Sequence, residues 1–218
     1  VEHASPMRLR REMAPVLSEL ASIATMRGDY PRAEKLLEQA QRYADEVPFA
    51  GSAGMVRNAR GRLARAQGDI DAALHLHAEA VELYEKSHAH GGLAYSLSCL
   101  GFAGEGAGDV GAARSHHAGA LEVARASSDF FSVALARGGA GCILISAGDA
   151  ETGVELVAAG LAAREERGIP LPGGERSDIE RAMVAATGAM GAVAVERATA
   201  RGRQMGTDRA VEVAGGIG

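Results

Sequence analysis

The dipeptide Gly-Asp stands at Gly28-Asp29, Gly68-Asp69, Gly108-Asp109 and Gly148-Asp149, each 40 residues after the last. A fixed period of this length marks a chain built by stacking one supersecondary unit, and it decides the architecture before any local propensity is weighed. On this register a small residue lies seven positions before each Gly (Ala21, Gly61, Gly101, Gly141) and another five after it (Ala33, Ala73, Ala113, Gly153). A third column reads Ala40, Ala80, Ala120, Gly160. Such columns suit two helices in close contact, the first ended by a glycine in a left-handed cap and the second started by the Asp side chain. The segments 15–27, 55–67, 93–107 and 132–147 carry no proline past their first position. After each Gly-Asp, sets such as Leu36, Leu37, Ala40 and Tyr43, or Leu74, His77, Val81 and Tyr84, recur at the spacing of an amphipathic helix. No period-two alternation points to strands.

A small residue, Ala twelve on and Ala seven further (Gly61, Ala73, Ala80) resembles the tetratricopeptide signature. The period is longer than usual for those repeats, so extra residues lengthen the helices or the links; the Gly-Asp turn with its alanines argues against a HEAT-type array. The expected fold is all-α, a tetratricopeptide-like superhelix of hairpins at about 12–46, 50–87, 90–127 and 129–167, within a repeat region 1–168. A breaker-rich link, Gly168-Ile169-Pro170-Leu171-Pro172-Gly173-Gly174, then opens a segment 169–218. It is expected to hold a helix from about Glu175 to Thr187, a turn near Gly188 where Ala189 replaces Asp, and a degenerate hairpin ending near Met205 that caps the solenoid. Thr207 is a candidate N-cap for one last short helix.

Residues 12–167 also resemble the long-period tetratricopeptide arrays at the C-terminal end of large bacterial transcription regulators. The tail carries the resemblance further: Ala163 to Pro172, Glu175-Arg176, Asp178, Glu180-Arg181-Ala182, Gly188, Arg201-Gly202-Arg203, Thr207 and Ala210-Val211. It looks like the closing segment of actinobacterial-type MalT/LuxR-like and SARP-like regulators, in which a signal-transducing ATPase core precedes the repeats. The chain departs from them in having no phosphate-binding Gly-Lys-Ser/Thr loop, since neither Lys35 nor Lys86 follows a glycine, and no helix-turn-helix pattern. The resemblance implies a sensor or interaction role here, with ATP and DNA left to other parts. A chain opening at Val1 is read as a piece of something longer.

Composition excludes several alternatives. Lys+Arg 23 against Asp+Glu 28 gives net charge −5, so no global basic field exists to hold a nucleic-acid backbone. Cys99 and Cys142 make no disulfide framework, and no signal peptide opens the chain, so a cytoplasmic location is expected. The longest uncharged stretches contain glycines and fall short of a membrane span. Gly106-Ala107-Gly108-Asp109-Val110-Gly111 matches G-x-G-x-x-G formally, yet it is one of four like inter-helix turns rather than a strand-to-helix loop. His77 and His117 share a repeat column otherwise held by Leu37 and Val157, which reads as packing rather than metal ligation. No catalytic constellation emerges from spacing, so no enzyme, cofactor or metal is expected.

What remains is the concave wall, which the first helix of each hairpin lines in tetratricopeptide solenoids. Carried over by register, the inward positions include Ser18, Ser22 and Thr25, then Asn58, Arg62 and Arg65, then Tyr95, Ser98 and Phe102, and then Leu135, Gly138, Cys142 and Ile145. Asn58, Arg62 and Arg65 share one helix face. An Asn with two Arg suits a carboxylate or acidic peptide, with Tyr95 and Phe102 as apolar neighbours. The expected occupant is a protein or peptide partner, other domains of a parent regulator, or a small-molecule effector. On this reading Arg62→Ala weakens the partner without lowering thermal stability. The alternative is a free-standing scaffold or homo-oligomerisation module working through its outer faces.

Overall fold

The computed structural model describes residues 6–47, 49–127, 130–171, 173–206, 209, 212 and 213. Among them the chain forms ten α-helices and no strand. Four antiparallel hairpins come first: α1 (Pro6–Met26) with α2 (Tyr30–Glu46), α3 (Ala50–Gln67) with α4 (Ile70–Lys86), α5 (His90–Ala107) with α6 (Val110–Ser127), and α7 (Phe130–Ser146) with α8 (Ala150–Glu166). Two further helices follow, α9 (Gly173–Met190) and α10 (Ala192–Arg203). Each hairpin packs on the next, and first helices touch first helices. The result is the all-α tetratricopeptide-like solenoid that the 40-residue period predicts.

The four Gly-Asp turns are built alike. Gly28, Gly68, Gly108 and Gly148 have φ of +74°, +87°, +79° and +96°, a region open to glycine at little cost. The next N–H, from Asp29, Asp69, Asp109 or Asp149, donates to the carbonyl five residues back at 2.9–3.0 Å and closes the first helix. The same Asp then accepts through Oδ1 from the N–H of Arg32, Ala72, Ala112 or Thr152 at 2.9–3.3 Å and opens the second helix. One dipeptide thus satisfies orphan groups on both sides of the turn.

The small columns lie where the helices cross. Ala21, Ala33, Ala40, Ala73, Ala80, Ala113 and Ala120 are fully buried. Glycines beyond those in the turns make sockets for rings. A Cβ on Gly61 would lie 2.7 Å from the His77 ring, one on Gly54 would lie 2.6 Å from Tyr84, and Gly101 and Gly139 both face His117. Within one chain, the hairpins that place His in the second helix place Gly opposite it, whereas Leu37 is matched by Ala21.

Two boundaries differ from the sequence expectation. α1 begins at Pro6, so Pro15 lies inside it rather than at its start. Tertiary contacts hold the turn ahead of Pro15: Arg10 pairs with Glu46 at 2.7 Å, Arg11 stacks 3.6 Å from the Phe49 ring centre, and Ala14 is buried in a cluster with Ala40, Ala44 and Val56. At the other end Gly188 stays helical and the break falls at Gly191, with φ +83°. No side chain presses on Gly188, and Ala189 offers no cap that would stop the helix there. Thr207 lies outside the described residues.

The C-terminal pair is splayed, because α9 lies mainly on α7 and α10 mainly on α8, with little contact between them. Gly202 brings α10 against the Glu155 backbone, and Arg201 pairs with Glu155 at 2.5 Å and also with Glu151. That arrangement sends the first turns of α9 across the concave face.

Candidate functional site

The C-terminal halves of α1, α3 and α5 form one wall of a cleft of about 640 Å³, and the start of α9 forms the other. The first wall presents Ser22, Arg62, Arg65, Phe102 and Glu105, and α9 presents Glu175, Asp178 and Arg181. A second hollow of about 410 Å³ lies at the opposite ends of the same inner helices. It is lined by Glu19, Phe49, Met55, Asn58, Tyr84 and Tyr95, and Arg62 borders both spaces.

Of the residues named from sequence, Arg65 is the one whose guanidinium meets a carboxylate. Its Nη2 pairs with Asp178, which is 3% exposed and also accepts from Arg181 at 2.7 Å. Phe102 lies 5.8 Å below the Arg65 guanidinium and meets the His117 ring edge-on at 4.8 Å. His117 in turn donates from Nε2 to Glu105 at 3.1 Å.

Arg62 points the same way but is tied down differently. Its guanidinium donates to the Tyr95 hydroxyl at 2.6 Å and to Ser22 Oγ, and so links α1, α3 and α5. The expectation that Arg62→Ala spares stability therefore does not follow from its place. Loss of two bonds between hairpins, with Tyr95 and Ser22 left behind in a mostly buried setting, is expected to cost about 1–3 kcal/mol. Urea unfolding measures this, and an unchanged midpoint would show Arg62 to be a mere wall residue.

Asn58 is 3% exposed and works inside the stack. Its Nδ2 donates to Ser96 Oγ at 2.8 Å, and its Oδ1 lies 3.0 Å from His77 Nδ1, so it joins α3, α4 and α5. Ser18 and Ser98 are buried and donate to the Ala14 and Ala94 carbonyls. Neither lines the cleft. Their hydroxyls replace apolar atoms on inner helix faces that pack rather than recognise. Leu135, Cys142 and Ile145 are buried in a cluster with Ile179 of α9, and a Cβ on Gly138 would rest 3.4 Å from Ile179, so the fourth hairpin's inner face is already covered.

Charge and burial set the chemistry. Burial, with Arg62 and Arg65 adding their charges, lowers the His77 pKa to about 3 and keeps the ring neutral. Burial raises Glu175 to about 7 against the pull of Arg164, Arg62 and Arg65. Cys99 is pushed up to about 12 by burial, which denies the cleft a thiolate at neutral pH. The arrangement suits the holding of carboxylates by a preset basic wall. Among the described residues no group of three or more His, Cys, Asp and Glu could hold a metal ion, and no helix is long and apolar enough to cross a membrane.

Sequence reading missed the second wall. Glu175, Asp178 and Ile179 are visible as an acidic pair beside an aliphatic residue after a breaker-rich link. Their charge complements Arg62 and Arg65, but nothing in a repeat register places a fifth inner helix against the second.

No curated protein and no solved structure matches the chain. Residues 12–86, which span the first two hairpins, match the tetratricopeptide repeat family model. Repeats of that family generally mediate contacts between proteins; the Gly-Asp turns and hairpin geometry seen in 12–86 recur through α8.

Proposed function

We propose that this domain is a non-enzymatic interaction module whose concave cleft takes an acidic protein or peptide partner. In this reading it is the partner- or effector-sensing repeat domain of a bacterial transcriptional regulator, working in the cytoplasm without touching nucleic acid itself. One observation carries the binding reading: Arg65, over the Phe102 ring, already holds a buried carboxylate in a cleft large enough for more. The cleft volume of about 640 Å³ also suits a small-molecule effector bearing a carboxylate. Occupancy would act by population shift, favouring one arrangement of hairpins over another. The regulator role rests on the resemblance of the repeats and tail.

Arg65→Glu in the native gene tests both levels. The expected result is loss of the partner captured on the wild-type domain, together with changed transcript levels for a limited set of genes. Intact capture would overturn the cleft reading, and an unchanged transcript profile would overturn the regulator role.

A scaffold or oligomerisation reading is favoured by one other feature. Val16, Leu20 and Ile23 form a ridge along α1 and are 51%, 43% and 41% exposed. Most of their register equivalents, Val56, Leu63, Ala103, Ala136, Ala140 and Ile143, are buried against the preceding hairpin, and Leu100 is buried as well. Light scattering on wild type and on Leu20→Lys/Ile23→Lys decides the matter: a dimer that the substitutions dissolve supports assembly through this ridge, and a wild-type monomer removes it.

A further inference from the structure

The concave cleft is already partly filled by the chain itself. α9 follows a link that Arg164 clips through the Pro170 carbonyl at 3.1 Å, and it brings Glu175, Asp178 and Ile179 to the inner wall on one helical face. Asp178 reaches Arg65, 113 residues away in the chain. Ile179 is 6% exposed and seats beside Phe102, Leu135 and Gly138. An acidic pair three residues apart with a branched aliphatic beside it is thus a chemistry this wall recognises.

The fit is incomplete. Glu175 is 4% exposed, its Oε2 has no hydrogen-bond partner among the described residues, and its nearest cation, Arg164, stands 3.6 Å away. A buried carboxyl group so poorly satisfied weakens the docking that buries it. Arg181, which shares Asp178, belongs to α9 and leaves with it. Open space remains in the cleft beside these groups.

We infer that the start of α9 is an internal ligand of the cleft. A partner's amphipathic helix, carrying two carboxylates three residues apart and an adjacent aliphatic residue, binds by displacing it from Arg65 and the Phe102–Leu135 seat. This rests on the cleft reading above and adds the class of partner and the segment that competes with it. A partner helix that satisfies both of its carboxylates exchanges an imperfect intramolecular contact for a better intermolecular one. The apparent affinity is the intrinsic affinity multiplied by the fraction of chains in which α9 is undocked.

The test uses the full chain and, as probe, a fluorescently labelled peptide of residues 173–190, followed by anisotropy. The peptide is expected to bind Glu175→Gln/Asp178→Asn at least tenfold more tightly than it binds the wild type. Adding Arg65→Glu to that variant is expected to remove the gain. Equal affinity for wild type and the double variant, with Arg65 still required, would overturn the internal ligand and leave the cleft reading standing. Binding that ignores Arg65→Glu would overturn both. A cooperative melt of the double variant is the control, and if it is lost the comparison is made with Asp178→Asn alone, to the same criteria.

Discussion

Gly141→Ala is expected to destabilise the domain by about 2 kcal/mol or more, the scale of overpacking where backbone rather than a movable side chain blocks the new methyl. A Cβ there would lie 2.6 Å from the Gly153 carbonyl oxygen and 2.9 Å from the Val157 nitrogen. The reciprocal change, Gly153→Ala, meets the Gly141 carbonyl at 2.6 Å and the Ile145 nitrogen at 2.9 Å. The two glycines let α7 and α8 cross at backbone contact, and neither helix can withdraw without opening the cluster around Ile143 and Leu156. Better helix propensity returns only about 1 kcal/mol for Gly to Ala. The first hairpin carries Ala21 and Ala33 at the equivalent positions, so alanine fails in the fourth because of the closer crossing and not because of the fold. Gly188→Ala is the control: it lies within α9 with nothing within 4 Å and is expected to leave stability unchanged or raise it by up to about 1 kcal/mol. Urea unfolding of the three variants checks this, and an unchanged Gly141→Ala midpoint would show the crossing to be loose.

The second large effect is a pH dependence that the wild type conceals. His77 titrates at about 3 in the folded chain against an ordinary 6.5, so the unfolded chain binds the extra proton between those values and stability falls as pH falls. Glu175 titrates at about 7 folded against an ordinary 4.5, so the folded chain binds the extra proton. Its contribution is fully present below pH 4.5 and is lost as pH rises through 7. Between pH 7 and pH 5 the two effects are opposite in sign and each amounts to about 2 kcal/mol by linkage. Wild type is therefore expected to show a nearly level unfolding free energy over that range. Glu175→Gln, with the His77 effect uncovered, is expected to lose about 2 kcal/mol from pH 7 to pH 5. Below pH 4.5 the wild type should follow it downward, since only His77 continues to titrate unevenly. Parallel pH profiles for the two proteins would mean that the buried carboxyl of α9 does not take up a proton near neutrality.

Three of the residues behind these effects, Gly141, Gly153 and His77, stand in columns of the repeat register, whereas Glu175 lies outside it on α9. Gly141 and Gly153 were legible as members of small columns. That they are the pair at backbone contact depends on the neighbouring bulk of Ile145 and Val157, which only the packed hairpin shows. His77 was legible as a packing position because Leu37 and Val157 share its column, and the structure adds Asn58 as its partner and two arginines as its electrostatic neighbours. That Gly61, Gly101 and Gly139 make room for imidazole rings is visible only in the packed hairpins.

The four hairpins, their turns and the alternation of inner and outer helices are legible in the repeat register. The physical reason is that each element is specified within a few residues: a glycine that accepts positive φ, an Asp that caps, and small residues at the crossing. The inner wall was likewise legible, since register alone places Arg62, Arg65, Tyr95 and Phe102 on first helices. How that wall is used depends on contacts far apart in the chain. Arg62 and Asn58 went to bonds between hairpins, Ser18 and Ser98 to buried helix faces, and Arg65 to Asp178. That last pairing joins residues 113 apart through a splayed C-terminal helix. No local rule fixes it, because it depends on the summed curvature of four stacked hairpins and on where α10 anchors to α8.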